Sequence, residues 1–224
     1  MSGEAKLRRR MSSDPPLPRG RHRMPREEVI AQQRDRLLRA VATEIREQGY
    51  TSLAVAEVVS RAGVSRRTFY QLFDDKLACV LAAHRAAAAR IEWLISEAFV
   101  GQATWPEGVA ASLGTVLRQG ARAPDDLQLV LIGNSAISEP LFAPLNLTVQ
   151  ARAIASLRAV QGPEGIRPPE VAEQAAVGAV MAVIGSKLIA GEAERLPEYH
   201  PELVRLLLSP YLGDEEAKRI AAAA

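Results

Sequence analysis

The sequence predicts an all-α protein, and two observations carry that prediction. Aliphatic residues and alanine dominate, while aromatics make up only 4% of the chain and runs of alternating Val, Ile, Thr and Tyr are missing. Apolar residues instead recur at spacings of three and four, in stretches separated by glycine, proline and capping residues. With 224 residues, 48% of them hydrophobic, the chain can build one compact body or a small domain fused to a larger one.

Residues 1–24 place Arg8, Arg9, Arg10, Arg19, Arg21 and Arg23 among Pro15, Pro16 and Pro18, with serines and glycines between. Such a stretch buries too little apolar surface to order itself, so a flexible basic arm is expected, either for groove and phosphate contact or simply for solubility. From Pro25 the pattern turns helical. Proline suits a first turn, Glu27 and Glu28 suit its positive end, and Ile30, Leu37, Leu38, Val41 and Ile45 recur at helical spacing up to a stop at Gly49. A short helix over 55–61 and another through Phe73 flank Ala62-Gly63-Val64-Ser65.

Asp75 is placed to cap a long helix to about Ala98 that joins the two halves of the chain. Thr104 and Glu107 have capping-box spacing before a helix to about Gln119, and Pro124-Asp125-Asp126 opens another near 127–131. Further helices are expected over 145–160 and 169–190, on either side of the turn-rich stretch 162–169, with shorter ones over 201–208 and 214–222.

The net charge of +2 conceals an asymmetry. Residues 1–80 hold 16 Lys and Arg against 10 Asp and Glu, and residues 81–224 hold 12 against 16. The basic excess suits an approach to a polyanion, but it sits in residues 1–26, while 27–80 balance at 8 against 8. Charge alone therefore does not mark the segment after the arm as a DNA binder.

The spacing of its short helices does. Gly63 supplies the backbone freedom a tight helix-turn-helix needs, and Ser65 is placed to cap the second helix. Val55, Val58 and Val59 can pack against Val64, Phe69 and Leu72, which leaves Arg66, Arg67, Thr68, Tyr70 and Gln71 as a polar face. In a major groove, Arg can pair with guanine, Gln with adenine, and Thr can meet a thymine methyl.

Residues 54–76, AVAEVVSRAGVSRRTFYQLFDDK, closely resemble the signature of the TetR family of transcriptional regulators. The match includes Ala62-Gly63-Val64-Ser65, Thr68-Phe69-Tyr70, Phe73 and Lys76, within a resemblance covering about residues 26–82. It implies a DNA-binding head over 25–74 and a helical ligand-binding and dimerisation body over 75–224. It further implies that Ser65, Thr68 and Tyr70 touch phosphates or bases, that Arg66 and Arg67 reach base edges or phosphates, and that Lys76 holds a phosphate. Phe73 reads as core. Ala54 departs from the hydroxyl residue common at the start of the family's second helix, which moves that contact to Thr51 or Ser52 or removes it.

In the body, Ala175, Gly178, Ala179, Ala182, Gly185, Ser186 and Ala190 form a low-relief stripe suited to a dimer seam. A two-fold dimer would set two recognition helices roughly 34 to 36 Å apart on a near-palindromic operator in double-stranded DNA. Trp93, Phe99, Trp105, Leu117, Leu131 and Phe142 are candidate walls of a cavity for an apolar small-molecule effector. In members of such a family, ligand usually relieves repression, although some relatives activate.

Other classes have less support. There is no phosphate-binding glycine loop, GxSxG elbow or HExxH, so an enzyme is not expected. Cys79 and His84 read as packing residues. Three histidines (His22, His84, His200) and one cysteine do not furnish a structural metal site, and no cofactor is expected. A ligand-independent architectural DNA-binding protein is the alternative; it would show weak sequence preference and steep salt dependence. The lone cysteine and the lack of a secretory pattern point to the cytoplasm. The uncharged stretch 174–186 reads as a buried helix, too short for a bilayer core of roughly 30 Å.

Overall fold

The computed structural model describes residues 25–131, 143–161 and 165–223. Ten α-helices and one 3₁₀ segment run through these residues, with no strand among them: α1 Arg26–Ser52, α2 Val55–Ala62, α3 Arg66–Leu72, α4 Lys76–Phe99, α5 Trp105–Arg122, α6 Pro124–Leu131, α7 Ala143–Gln161, α8 Glu170–Ile189, the 3₁₀ segment Ala193–Tyr199, α9 His200–Leu212 and α10 Asp214–Ala223. The basic arm, Phe142 and part of the turn before α8 lie outside the described residues.

The expected punctuation operates. Gly49 breaks α1 with φ 77°, so the stop read at that position is a kink followed by one last turn. The Asp75 carboxylate accepts the Ala78 N–H at 2.7 Å and starts α4. At the head of α5, the Glu107 carboxylate accepts the Thr104 N–H at 3.1 Å within a capping box. The 3₁₀ segment escaped the sequence reading because its Pro197 interrupts the apolar period there.

Two apolar cores result. One gathers Leu37, Leu38 and Val41 of α1, Val58 of α2, Phe69 of α3 and Val80 of α4. The other gathers side chains of α5, α7, α8, α9, α10 and the 3₁₀ segment, with Leu117, Leu196, Val204 and Leu208 fully buried. Ile30 is the exception to the pattern read along α1; it lies on the exposed first turns.

The boundary expected at residues 74 and 75 is not a physical break, because the head's core continues into α4 and also receives Leu129 and Val130 from α6. In the same helix Leu127 turns to the second core, and the two residues before it, Asp125 and Asp126, each pair with an arginine. Asp125 accepts from Thr43 Oγ1 and from Arg46 Nε, both of α1, each at 2.5 Å. Asp126 accepts from Arg90 Nε at 2.6 Å and from Arg90 Nη2 at 2.5 Å, a bidentate pair with α4.

Two carboxylates that a sequence reader places on solvated faces are in fact buried. Glu44 on α1 accepts from Arg61 Nε of α2 at 2.6 Å and from Gln48 Nε2 at 2.9 Å. Glu173 on α8 is held by Arg158 of α7 and by the Tyr211 hydroxyl of α9, the latter at 2.9 Å. These partners fasten α8 to both neighbours. The Arg158 hydrogen bond, with a second from Tyr211, holds the Glu173 carboxyl below its ordinary range despite burial.

A carboxyl whose native pKa is depressed stabilises the fold fully above its unfolded value, about 4.3, and loses that contribution as pH falls through the native value. Between the unfolded and the native values the wild-type protein is therefore expected to lose stability with falling pH more steeply than Glu173→Gln, measured by denaturant unfolding across the acid range. Tyr211→Phe removes one hydrogen bond to a charged acceptor and is expected to cost about 1.5 kcal/mol at neutral pH; an unchanged unfolding midpoint would contradict the assigned bond.

Candidate nucleic-acid interface

Local chemistry builds the turn between α2 and α3. Gly63 ends α2 in the left-handed region, at φ 62° and ψ 41°, and its N–H returns to the carbonyls of Ser60 and Val59. A Cβ there would meet nothing closer than an Arg36 nitrogen at 3.7 Å, so the need for glycine is conformational and not one of space. Ser65 caps α3: its hydroxyl oxygen accepts the Thr68 N–H at 3.0 Å and lies 2.9 Å from the Thr68 hydroxyl. Phe69 is buried, with its ring centroid 5.7 Å from that of Phe73, and the two rings fix α3 on the head's core.

What remains of α3 is a single outward face. Arg66, Arg67, Tyr70 and Gln71 are exposed, at the three- and four-residue spacings of one helix side, and Tyr70 is 57% exposed. Its phenol stands edge-on to Phe69 at 5.3 Å. Among the described residues, Arg66 and Arg67 pair with no carboxylate, whereas Arg46, Arg61 and Arg90 all do. Two free guanidiniums beside an aromatic hydroxyl and an amide can donate to phosphate oxygens and to base edges.

Residues 37–83, which contain this helix-turn-helix, match the family model described as bacterial regulatory proteins, tetR family. The helix-turn-helix segment is thus of the TetR type. Solved structures share its fold. FadR from Bacillus halodurans, a fatty acid degradation regulator, superposes with a TM-score of 0.65 at 17% identity, over 79% of this chain and 94% of that one. A TetR transcriptional regulator from Chloroflexus aurantiacus gives 0.63 at 18% identity, over 81% and 96%. The TetR-family protein CprB from Streptomyces coelicolor gives 0.59 at 19% identity, over 87% and 97%. No curated protein matches the chain by sequence.

Within this TetR-type head, Lys76 is placed differently from a free phosphate ligand. Its ammonium lies 3.1 Å from the Leu53 carbonyl, 3.4 Å from the Tyr50 carbonyl and 4.5 Å from the Tyr50 ring centroid. It therefore satisfies the carbonyls where α1 ends, and fastens the head to the start of α4. Thr68 is likewise engaged with Ser65, so the outward side chains that remain are Arg66, Arg67, Tyr70 and Gln71.

Cys79 and His84 pack inside the head's core. Burial pushes the Cys79 thiol up to about 12, the reverse of an activated nucleophile. Burial pushes His84 below its ordinary value, although a hydrogen bond with the Val130 backbone works against the shift and ties α4 to α6.

The candidate cavity walls are dispersed by the fold. Leu117 is fully buried in the second core, Leu131 packs against both cores, and the Phe99 ring lies on Gly108. Trp105 stands edge-on to Tyr211 at 5.7 Å. Trp93 alone of the described candidates lines a cleft, a half-open space of about 320 Å³ between α4, α5 and α6. Arg90, Leu94, Val116, Gln119 and Asp126 are among its other walls. Large apolar residues were the basis for the candidates, and most of them proved to be the packing that surrounds the cleft.

The small-residue stripe on α8 divides as well. Gly185 is buried inside the subunit, and a Cβ at Gly178 would lie 3.2 Å from Gln150 of α7. Ala175, Ala182, Ser186 and Ala190 are exposed and Ala179 is half-buried, on a side that also carries exposed Val171 and Ile189. α8 is long and apolar enough by length and composition to cross a membrane, yet it packs in the bundle with 33% of its apolar stretch buried. It is thus buried on one face only, not wholly as its sequence suggested.

Gly63→Ala forces a side chain into the left-handed region and is expected to destabilise the head by roughly 1 to 2 kcal/mol. Thermal unfolding followed by circular dichroism checks this; no loss of stability would mean that the turn adopts another conformation in solution.

Proposed function

We propose that this protein is a cytoplasmic transcriptional repressor that binds a near-palindromic operator as a homodimer and is released by a small-molecule effector. The observation that carries the reading is the α3 face, where Arg66, Arg67, Tyr70 and Gln71 are exposed together on a helix seated against the core by Phe69. Phosphate contacts from Ser65 and the arginines would set register, and Arg67, Tyr70 and Gln71 would read bases.

The exposed side of α8 supports the dimer. Val171, Ala175, Ala179, Ala182, Ser186 and Ile189 follow one another at spacings of three and four, and burying Val171 and Ile189 against a second copy would remove two large apolar side chains from water. Release by a ligand is supported by the cleft, because α4 and α6 both line it and both contribute to the head's core. A ligand shifts DNA affinity only as far as it prefers the conformation whose recognition helices are wrongly spaced.

Selection of genomic fragments by the purified protein at near-physiological salt, against shuffled DNA, is the test. A near-palindromic motif is expected. Binding that shows no sequence preference and vanishes with salt would contradict the regulator and favour an architectural role. On the selected site, Arg67→Ala with Tyr70→Ala is expected to weaken binding more than tenfold, since each lost base contact removes about 1 to 3 kcal/mol. Helix content and dimer mass should be unchanged in that variant, and undiminished affinity would remove both residues from the interface.

A further inference from the structure

The cleft between α4, α5 and α6 already holds a carboxylate, and it is the protein's own. Arg90 presents Nε and Nη2 to the two oxygens of Asp126 at 2.6 and 2.5 Å, the fork geometry by which a guanidinium selects a carboxylate. Both groups belong to the cleft wall, next to Trp93, Ile91, Leu94 and Leu127. We propose that the ligand of this cleft is a flat aromatic carboxylate, whose ring lies along Trp93 and the aliphatic walls and whose carboxylate replaces that of Asp126 on Arg90. The inference rests on the effector-responsive reading above and names the chemical class of the effector.

Three features favour that class. The cleft, at about 320 Å³, exceeds the roughly 150 Å³ of an apolar cavity that accepts benzene, so two fused rings fit. Arg90 and Asp126 are 35% and 31% exposed, which lets Asp126 turn into solvent when it is displaced. Arg90 loses its charged partner when Asp126 turns away, and an incoming carboxylate restores the bidentate contact. A neutral ring would leave the ion pair as it is, and a cationic ligand would meet Arg90 at the rim.

Exchange of the carboxylate has a consequence for the head. Displacing Asp126 frees the first turn of α6 from α4, while its neighbour Asp125 still holds Thr43 and Arg46 of α1. Occupancy of the cleft thereby changes how α6 is divided between the linking helix and the head.

The test titrates 1-naphthoate, and the neutral alcohol of the same ring system, 1-naphthalenemethanol, into the full-length protein by calorimetry. In the wild-type protein naphthoate is expected to bind about tenfold more tightly than the alcohol, a difference reserved for a charged bidentate contact. Asp126→Asn removes the competing charge and is expected to tighten naphthoate binding about tenfold, whereas Arg90→Gln abolishes the preference over the alcohol. Equal binding of the two compounds to the wild-type protein overturns the proposal without recourse to any variant. So does naphthoate affinity that is unchanged or weakened in Asp126→Asn with its helix content intact. Loss of operator selection with naphthoate binding preserved would strike the regulator and spare the ligand class; a selected operator with no naphthoate binding would do the reverse.

Discussion

The position of the head relative to the body rests on α4 and on α6, whose eight residues contribute to both cores. Leu129 and Val130 enter the head's core, and Leu127 enters the body's. The first turn of α6 is held at two points, by Asp125 to α1 and by Asp126 to α4. A rigid interior transmits a shift because packed side chains have few alternative arrangements. A movement of α6 thus reaches α1 through a salt bridge and the recognition helix through the shared core. The longer α4 helix also joins the two, with its first half in the head's core and Ile91, Ile95 and Phe99 against the body's, so the body holds the head through α4 and α6 together.

Charge follows that arrangement. Glu44 with Arg61 fastens α1 to α2, and Lys76 fastens the end of α1 to the start of α4. Arg46, Arg61 and Arg90 are matched to carboxylates, while Arg66 and Arg67, on the outward face of α3, are not. A head whose residues 27–80 balance eight basic against eight acidic side chains can still present a locally cationic face, because Arg66 and Arg67 stand together on α3, which carries no acid of its own. The near-neutral count read from the sequence was therefore a poor guide to the surface that meets a partner.

Much of the fold was legible because it depends on local chemistry. Gly63, Ser65, Asp75 and the Thr104 and Glu107 pair act within a few residues of themselves, and each ends or begins a helix where its chemistry requires. The outward face of α3 followed from periodicity once Phe69 was assigned to the core. Long-range partnerships were not legible. Glu173 looks like any acid in a first helical turn until Arg158 and Tyr211 arrive from two other helices, and the roles of Asp125 and Asp126 as ties beyond a helix start depend on Arg46 and Arg90. The cleft was hidden for the same reason: its walls pair a tryptophan with an ion pair, and a search for large apolar residues finds only the first.

The distance between the two recognition helices of a dimer on its operator tests the account most directly. A spin label at Asp74→Cys, in a background where buried Cys79 is replaced by alanine, places a probe just beyond α3 in each copy. Pulsed electron resonance should give one narrow distance on operator DNA, as required by half-sites whose recognition helices lie about 34 to 36 Å apart. Severing the tie to α1 with Asp125→Asn should broaden that distribution and weaken operator binding in parallel. No distance between copies, or a distribution unmoved by Asp125→Asn, would contradict a dimer whose DNA grip is set through α6.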